Sequence, residues 1–350
     1  MNPSDFQKRV LILYSEVMPY TLGLIEEMSQ RESTQVILVY WDQIRLTPFT
    51  FKLPEEIRMI PRSKLTWDLV EDELIPFQPT HIWTSGRMDS FYLKINSSLK
   101  KRYPKTLSIT GCDNQWEGTI KDQLRSMLGY WMYRKHFDFI WVPGPKQEEF
   151  ALKIGFQKNK IIHNLLSCSP IWFENQSQLT QKRILFVGRL VPNKNIQFLI
   201  DAFELLPKEF SKDIFLRIVG SGDPMNLKIQ HSNIEVFQFE SQEKLISHGL
   251  NSDLFCLPSI HEPFGVVVHE FAAMGLPLAL STKVGAKPVF LNENLNGFSF
   301  NPNNVNELSE KLKNYYSLPI EKKLDMGIRS FELAQQVNPK SAVDSFLSIN

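Results

Sequence analysis

The chain has 350 residues, 43% of them hydrophobic and 22% charged, with a formal net charge of +1. That length allows two ordinary domains, the balance excludes a disordered chain, and near-neutrality excludes a general nucleic-acid binder. Cys112, Cys168 and Cys256 show neither metal-ligand spacing nor a disulfide framework, so a reducing cytosol is the expected setting. No apolar run reaches membrane-spanning length. Lys8-Arg9 and the apolar run 10–14 are too short for a signal peptide and fit a first strand.

From that strand the chain reads as a regular alternation. Residues 20–30 fit a helix and 35–41 a second strand, after which the pattern weakens through 46–61. Helices are expected at 67–74, 89–102, 118–136 and 146–154, and strands at 81–84, 106–110, 139–142 and 160–163. Strands alternating with helices predict a parallel sheet with crossover helices. Residues 164–182 break the rhythm: they are polar, rich in Ser and Gln, and contain Pro170. A second alternation follows, with strands at 183–187, 214–219, 234–239, 253–257 and 278–281 and helices at 195–206, 242–251, 265–274 and 305–316. The architecture thus repeats as two open α/β halves, each expected to bind ligands at the carboxyl ends of its strands.

The most informative stretch is 253–277. A short apolar strand leads into a loop with Pro258 and Pro263, then a helix closed by Gly275 and Pro277. A loop ending on a helix N-terminus is a natural anion site, since free N–H groups and the helix dipole both favour negative charge. Glu262 lies in the loop and Glu270 inside the helix; on the residues alone they are either ligand groups or a structural pair. Gly188 with Arg189 and Lys194 suits a diphosphate, through bidentate hydrogen bonds and a point charge; the alternative is two solvated charges. Gly220-Ser-Gly222 allows close backbone approach to a base or sugar, or is a plain turn. The loop 283–288 offers backbone to a sugar, or simply connects strand to helix. His261-Glu262 and His269-Glu270 lack the i, i+4 spacing of a zinc helix, and no Asp-x-Asp is present, so no metal is expected. His269 reads as an exposed or hydrogen-bonded helix residue.

Taken in order, these motifs resemble the retaining glycosyltransferases of family 4. They are V-G-R-L-x-x-x-K from Val187, I-V-G-S-G from Ile218, D-L-F-C-L-P-S from Asp253, E-P-F-G from Glu262 with a second Glu at 270 after seven intervening residues, in the style of the E-x-P-F-G-x-x-x-E signature, and N-G-F-S-F-N-P from Asn296. The match is strongest over 184–301. The resemblance implies an α/β GT-B fold, two Rossmann-like domains facing across a cleft. It implies an acceptor-binding domain at 1–166, a linker at 167–182, a nucleotide-sugar donor domain at 183–325, and a C-terminal helix at 326–350 crossing back to the first domain. It also implies roles. Arg189 and Lys194 bind the donor diphosphate and stabilise the leaving group. Glu262 contacts the donor sugar, Phe264, Gly265 and Val266 present backbone N–H groups, and Glu270 accepts from the ribose hydroxyls. Gly188, Gly220 and Gly222 shape the donor loops. No cofactor is implied beyond the nucleotide-diphosphate-sugar co-substrate.

The first half departs from the family pattern. Residues 15–19 replace a Gly-Gly loop. Thr110-Gly-Cys-Asp-Asn114 stands where many relatives place a catalytic His, leaving Asp113 as its replacement or as a helix N-cap. Arg87 ends another strand, either toward an acidic acceptor or phosphate or as a surface charge. Lys287-Pro288 stands where a Glu is common. Residues 121–135 mix basic and aromatic residues, as either a membrane-facing helix that meets a lipid-linked acceptor or a crossover helix packed on the sheet. The expected partners are a nucleotide-sugar donor and a saccharide or lipid-linked saccharide acceptor, in the cytoplasm with peripheral membrane contact. The competing readings are a catalytically silent nucleotide-sugar-binding subunit and a GT-B epimerase.

Overall fold

The computed structural model describes residues 7–43, 52–179, 181–224 and 227–349. Part of the weakly patterned stretch 46–61, residues 46–51, lies outside the described residues, as does Thr180 of the expected linker. The chain divides into two compact units: Met1–Ser167 with Asn338–Asn350, and Cys168–Val337.

The first unit is built on strands β1 (Lys8–Tyr14), β2 (Thr34–Tyr40), β3 (Arg58–Pro61), β4 (His81–Thr84), β5 (Leu107–Gly111), β6 (Phe139–Trp141) and β7 (Ile161–Ile162). They form one parallel sheet in the order β3-β2-β1-β4-β5-β6-β7. Parallel strands carry helices on both faces, so their side chains are buried on both sides and read as apolar runs. Residues 10–13 are accordingly fully buried. One face packs Leu11, Leu13 and Ile37 against Val70, Leu74 and Leu99. The strand β3 was not anticipated: it sits at the sheet edge with only Ile60 buried, and ends on Pro61, as an edge strand permits.

The second unit holds β8 (Arg183–Val187), β9 (Phe215–Val219), β10 (Ile234–Phe237), β11 (Leu254–Leu257), β12 (Leu278–Ser281) and β13 (Gly297–Phe300). Its parallel order is β10-β9-β8-β11-β12-β13. In each sheet the order reverses at one place, between β1 and β4 and between β8 and β11. Those switch points leave a crevice at the strand carboxyl ends.

Two boundaries differ from the sequence expectation. Most of the polar stretch 167–182 packs into the second unit, with Cys168, Trp172 and Leu179 buried and Trp172 set edge-on to Phe271 at 5.5 Å. A polar composition had suggested a free linker; the three apolar anchors decide otherwise. The last helical region is two helices, Ile320–Gln335 and Pro339–Leu347. Only the second returns to the first unit, so the return falls at Asn338 and not at 326. The cause is local. Pro339 restricts the residue before it to extended backbone, and Asn338 closes a capping box with Ser341, accepting from its N–H at 2.9 Å. In the first unit Phe346 then stacks on Trp141 with centroids 4.9 Å apart.

Candidate active site

The second unit's switch point brings together loops that are far apart in sequence. Beyond β8 the chain turns through Gly188 and Arg189 to a short helical turn, Pro192–Lys194, then into helix Ile196–Glu204. Asn195 takes the left-handed conformation between them at φ 58°, tolerable for Asn. Its amide donates to the carbonyls of Pro258 and Pro302 at 3.3 and 3.0 Å. Ile260 N–H donates to Asn193 O at 2.9 Å, and the Asn193 amide to His261 O at 3.3 Å. The loop after β8 is therefore clamped to the loop after β11.

That clamp brings Lys194 onto Glu262. Lys194 Nζ donates to Glu262 Oε2, and both side chains are only about a tenth exposed. Ser259 Oγ adds a weaker hydrogen bond at 3.4 Å to the same oxygen. Glu262 is held from the other side by backbone: its carbonyl accepts from Gly285 N–H at 2.9 Å, and Phe264 O accepts from Ala286 N–H at 2.8 Å. Those two amides of the 283–288 loop hold the Glu262 loop in place, so they are not open to a sugar.

Gly265 starts the next helix, Val266–Ala273, at φ 93°, with no side chain capping its first turn. A side chain at 265 would be strained and would crowd Glu262 Cγ at 3.0 Å. The uncapped turn leaves the leading N–H groups for a ligand. Phe264 is buried, edge-on to Phe290, so only its backbone faces chemistry. Glu270 lies on the same helix, half-buried, and its carboxylate has no hydrogen bond or ion pair among the described residues. Burial pushes its pKa up to about 7.

The glycine turns serve each other as much as a ligand. A Cβ on Gly220 would lie 1.7 Å from Gly188 O, so that position admits glycine alone. Gly188 N–H donates to Val219 O at 3.0 Å and Leu190 N–H to Ser221 O at 2.7 Å. Gly222, at φ 136°, passes close to Leu190. These bonds fix the turn that carries Arg189. The Arg189 side chain itself is exposed, with no hydrogen bond or ion pair among the described residues, and the structure does not bring it onto Lys194 or Glu262.

Of the two readings of His269, exposed or hydrogen-bonded, the structure has the second. The ring is fully buried, stacked on Phe290 at 4.5 Å, with Nδ1 accepting from Cys168 N–H at 2.9 Å and Nε2 bonded to Ala334 O at 3.0 Å. Burial pulls its pKa down to about 4, which keeps the ring neutral. Among the described residues no group of three or more His, Cys, Asp and Glu side chains is placed to hold a metal ion.

In the first unit, the β1/β4 switch point opens on a cavity of about 210 Å³ lined by Ser15, Glu16, Ser85, Gly111 and Asp113. Ser85 Oγ accepts from Ser15 N–H at 2.9 Å and sits 3.1 Å from Ser15 Oγ, pinning the two strand ends. Asp113 caps no helix, since residues 112–119 are irregular and the next helix begins at Ile120. Arg87 lies with its guanidinium 5.4 Å from the Tyr133 ring. Asn193, Asn195, Ser259 and Glu16 were not singled out from sequence. The one advance signal was an Asn directly before a helix, the residue type that tolerates left-handed backbone.

Two doubly wound parallel sheets in one chain are the GT-B architecture, and solved GT-B structures match it throughout. The structure of Anabaena Alr3699/HepE, in complex with UDP and glucose, superposes with a TM-score of 0.68 over 98% of each chain at 13% identity. Residues 170–332, nearly all of the second unit, match the family model described as glycosyl transferases group 1. An uncharacterized glycosyltransferase of Haemophilus influenzae is 31% identical over 207 residues, 54% of this chain and 52% of that protein. The O-antigen biosynthesis glycosyltransferase WbnH of Escherichia coli is 32% identical over 146 residues, 41% of each. The chain spans between 34% and 61% of the length of the curated relatives it first matches.

Proposed function

We propose that the protein is a retaining, metal-independent glycosyltransferase that moves a sugar from a nucleotide-diphosphate donor to a saccharide or lipid-linked saccharide, in synthesis of a bacterial surface polysaccharide or glycoconjugate. The observation that carries this is the meeting of Lys194, Glu262 and an uncapped helix start at the switch point of the second unit. An uncapped helix start beside Lys194 suits an anion, and the unpaired Glu270 carboxylate on the same helix suits a diol. In this reading the diphosphate takes Arg189, Lys194 and the N–H groups of Gly265 and Val266. Glu262 accepts from the sugar hydroxyls, and Glu270 from the ribose.

Transfer breaks the bond between the anomeric carbon and the phosphate oxygen and forms one from that carbon to the acceptor oxygen. The acceptor's proton passes to the departing phosphate on the same face, and the oxocarbenium-like transition state is stabilised by the charges fixed around the leaving group. A double displacement with two carboxylates about 5 Å apart is not required. Asp113, on the cavity of the first unit, is the residue we assign to the acceptor side.

The test is transfer and donor hydrolysis across a panel of nucleotide sugars, in wild type and in Glu262→Ala and Arg189→Ala. Loss in both variants with folding intact supports the enzyme. Tight donor binding in the wild type with no turnover against any acceptor extract would make it a silent binding subunit. An absolute magnesium requirement would remove the metal-independent path.

A further inference from the structure

The helix Ile120–Gly129 of the first unit is amphipathic with its apolar face turned outward. Its inward side is fixed. Asp122 is buried and accepts from Thr119 Oγ1 at 2.8 Å and Glu117 N–H at 3.2 Å. Gly129 lies so close to Ile154 that a Cβ would come within 2.7 Å of its Cγ2. Tyr133, in the following turn, is buried. The opposite side carries Ile120, Leu124, Met127, Leu128 and Trp131, at the i, i+4, i+7, i+8, i+11 spacing of one helical stripe, and all are 57–78% exposed. An ordinary crossover helix buries such a stripe. This one buries an acid and a glycine and presents its apolar residues to solvent.

Four cations border the stripe: Lys121, Arg125, Arg134 and Lys135 are all exposed. Asp122 is the only acid from 118 to 137, and it is turned inward. Exposed apolar patches of this size mark an interaction surface. The charge decides between partners. A second copy docked face to face would set these four cations against the same four. An anionic lipid surface attracts them, accepts the aliphatic side chains, and holds a Trp at its interface. No helix among the described residues is long and apolar enough to cross a membrane.

We propose that the face Ile120–Trp131 is a docking surface for an anionic lipid bilayer. It rests on the proposed function only in linking that surface to a lipid-linked acceptor; the docking itself is read separately.

The experiment is cosedimentation of the full chain with vesicles of phosphatidylcholine alone or with about 30 mol% phosphatidylglycerol. The wild type is expected on the anionic vesicles and not on the neutral ones, and to be released by high salt. The doubly substituted Leu124→Ser/Trp131→Ser chain is expected to bind at least about tenfold less, and Lys121→Glu/Lys135→Glu, which leaves the Arg125–Asp122 pair at 3.8 Å intact, to lose the anionic preference. All four positions are exposed, so circular dichroism should be unchanged, and the thermal shift with a nucleoside diphosphate should match wild type. That last readout separates failure of the surface from failure of the donor site. No binding at low salt, binding unaffected by the Ser substitutions, or a dimer by light scattering that those substitutions disperse would overturn the proposal.

Discussion

Replacing Glu270 by Gln tests the proposed donor site in two independent ways. In the free protein this carboxyl has a pKa near 7 in place of 4.5, because burial disfavours its charge and no cation answers it. Between those two values the folded state holds a proton that the unfolded state has released. Stability from this group therefore falls as pH rises through the window, and above pH 7 the ionised carboxylate costs the fold about 3 kcal/mol. Glu270→Gln removes that cost, so its melting temperature should exceed wild type by several degrees at pH 8 and by little at pH 4.5. Ligand binding should respond with the opposite sign. A ribose diol donates to the ionised form, so nucleoside diphosphate affinity of the wild type should fall as pH drops below 7, by up to tenfold per pH unit. The Gln variant should bind about ten- to a hundredfold more weakly at pH 8, the loss of a charge-assisted hydrogen bond, and lose the pH dependence. Scanning calorimetry and titration calorimetry at pH 5, 6, 7 and 8 read both. A variant no more stable at pH 8, or with unchanged nucleotide affinity, would refute the assignment.

Three further outcomes follow from particular contacts. Lys194→Ala leaves Glu262 nearly buried without its cation, and should cost about 2–4 kcal/mol in denaturant titration; adding Glu262→Gln should recover part of the stability but no transfer. Gly220→Ala, with its Cβ driven into Gly188 O, should abolish soluble folding of the second unit, seen as lost soluble expression. His269→Phe strands Cys168 N–H and Ala334 O and should cost about 2–4 kcal/mol. Because the wild-type ring has its pKa lowered from 6.5 to about 4, its contribution should weaken as pH falls through that interval, and acid melts of wild type and variant should converge there.

Much of the fold was legible because buried parallel strands are unbroken apolar runs. Residues 10–13 and 254–257 could hardly be anything else, and both are fully buried. Elements that fail this pattern were missed. The edge strand β3 buries one side chain. The 168–179 segment is polar in composition but anchored by Cys168, Trp172 and Leu179. Residues 118–136 were expected as a long helix, which the structure holds over Ile120–Arg134, but a mix of basic and aromatic residues left open whether it faces a membrane or packs on the sheet. That depended on Gly129 and Asp122, whose partners are set by tertiary contact.

The proposed donor site shows the same limit more sharply. Arg189, Lys194, Glu262 and Glu270 were all visible as residues, with the diphosphate expected on Arg189 and Lys194 together, the sugar on Glu262 and the ribose on Glu270. What sequence could not supply is that β8 and β11 are neighbours although β9 and β10 intervene, so that Lys194 and Glu262, 68 residues apart, share an ion pair. The pair changes the chemistry of the proposed reading, because the two tasks cannot be performed independently. A diphosphate that draws Lys194 away leaves Glu262 as a nearly buried acceptor with Ser259 at 3.4 Å as its remaining side-chain partner. Such a group is costly until donors reach it, and the hydroxyls of the attached sugar arrive with the same ligand. The sugar contact is thus strengthened only when the diphosphate is bound beside it, which couples recognition of the two halves of the donor through one ion pair.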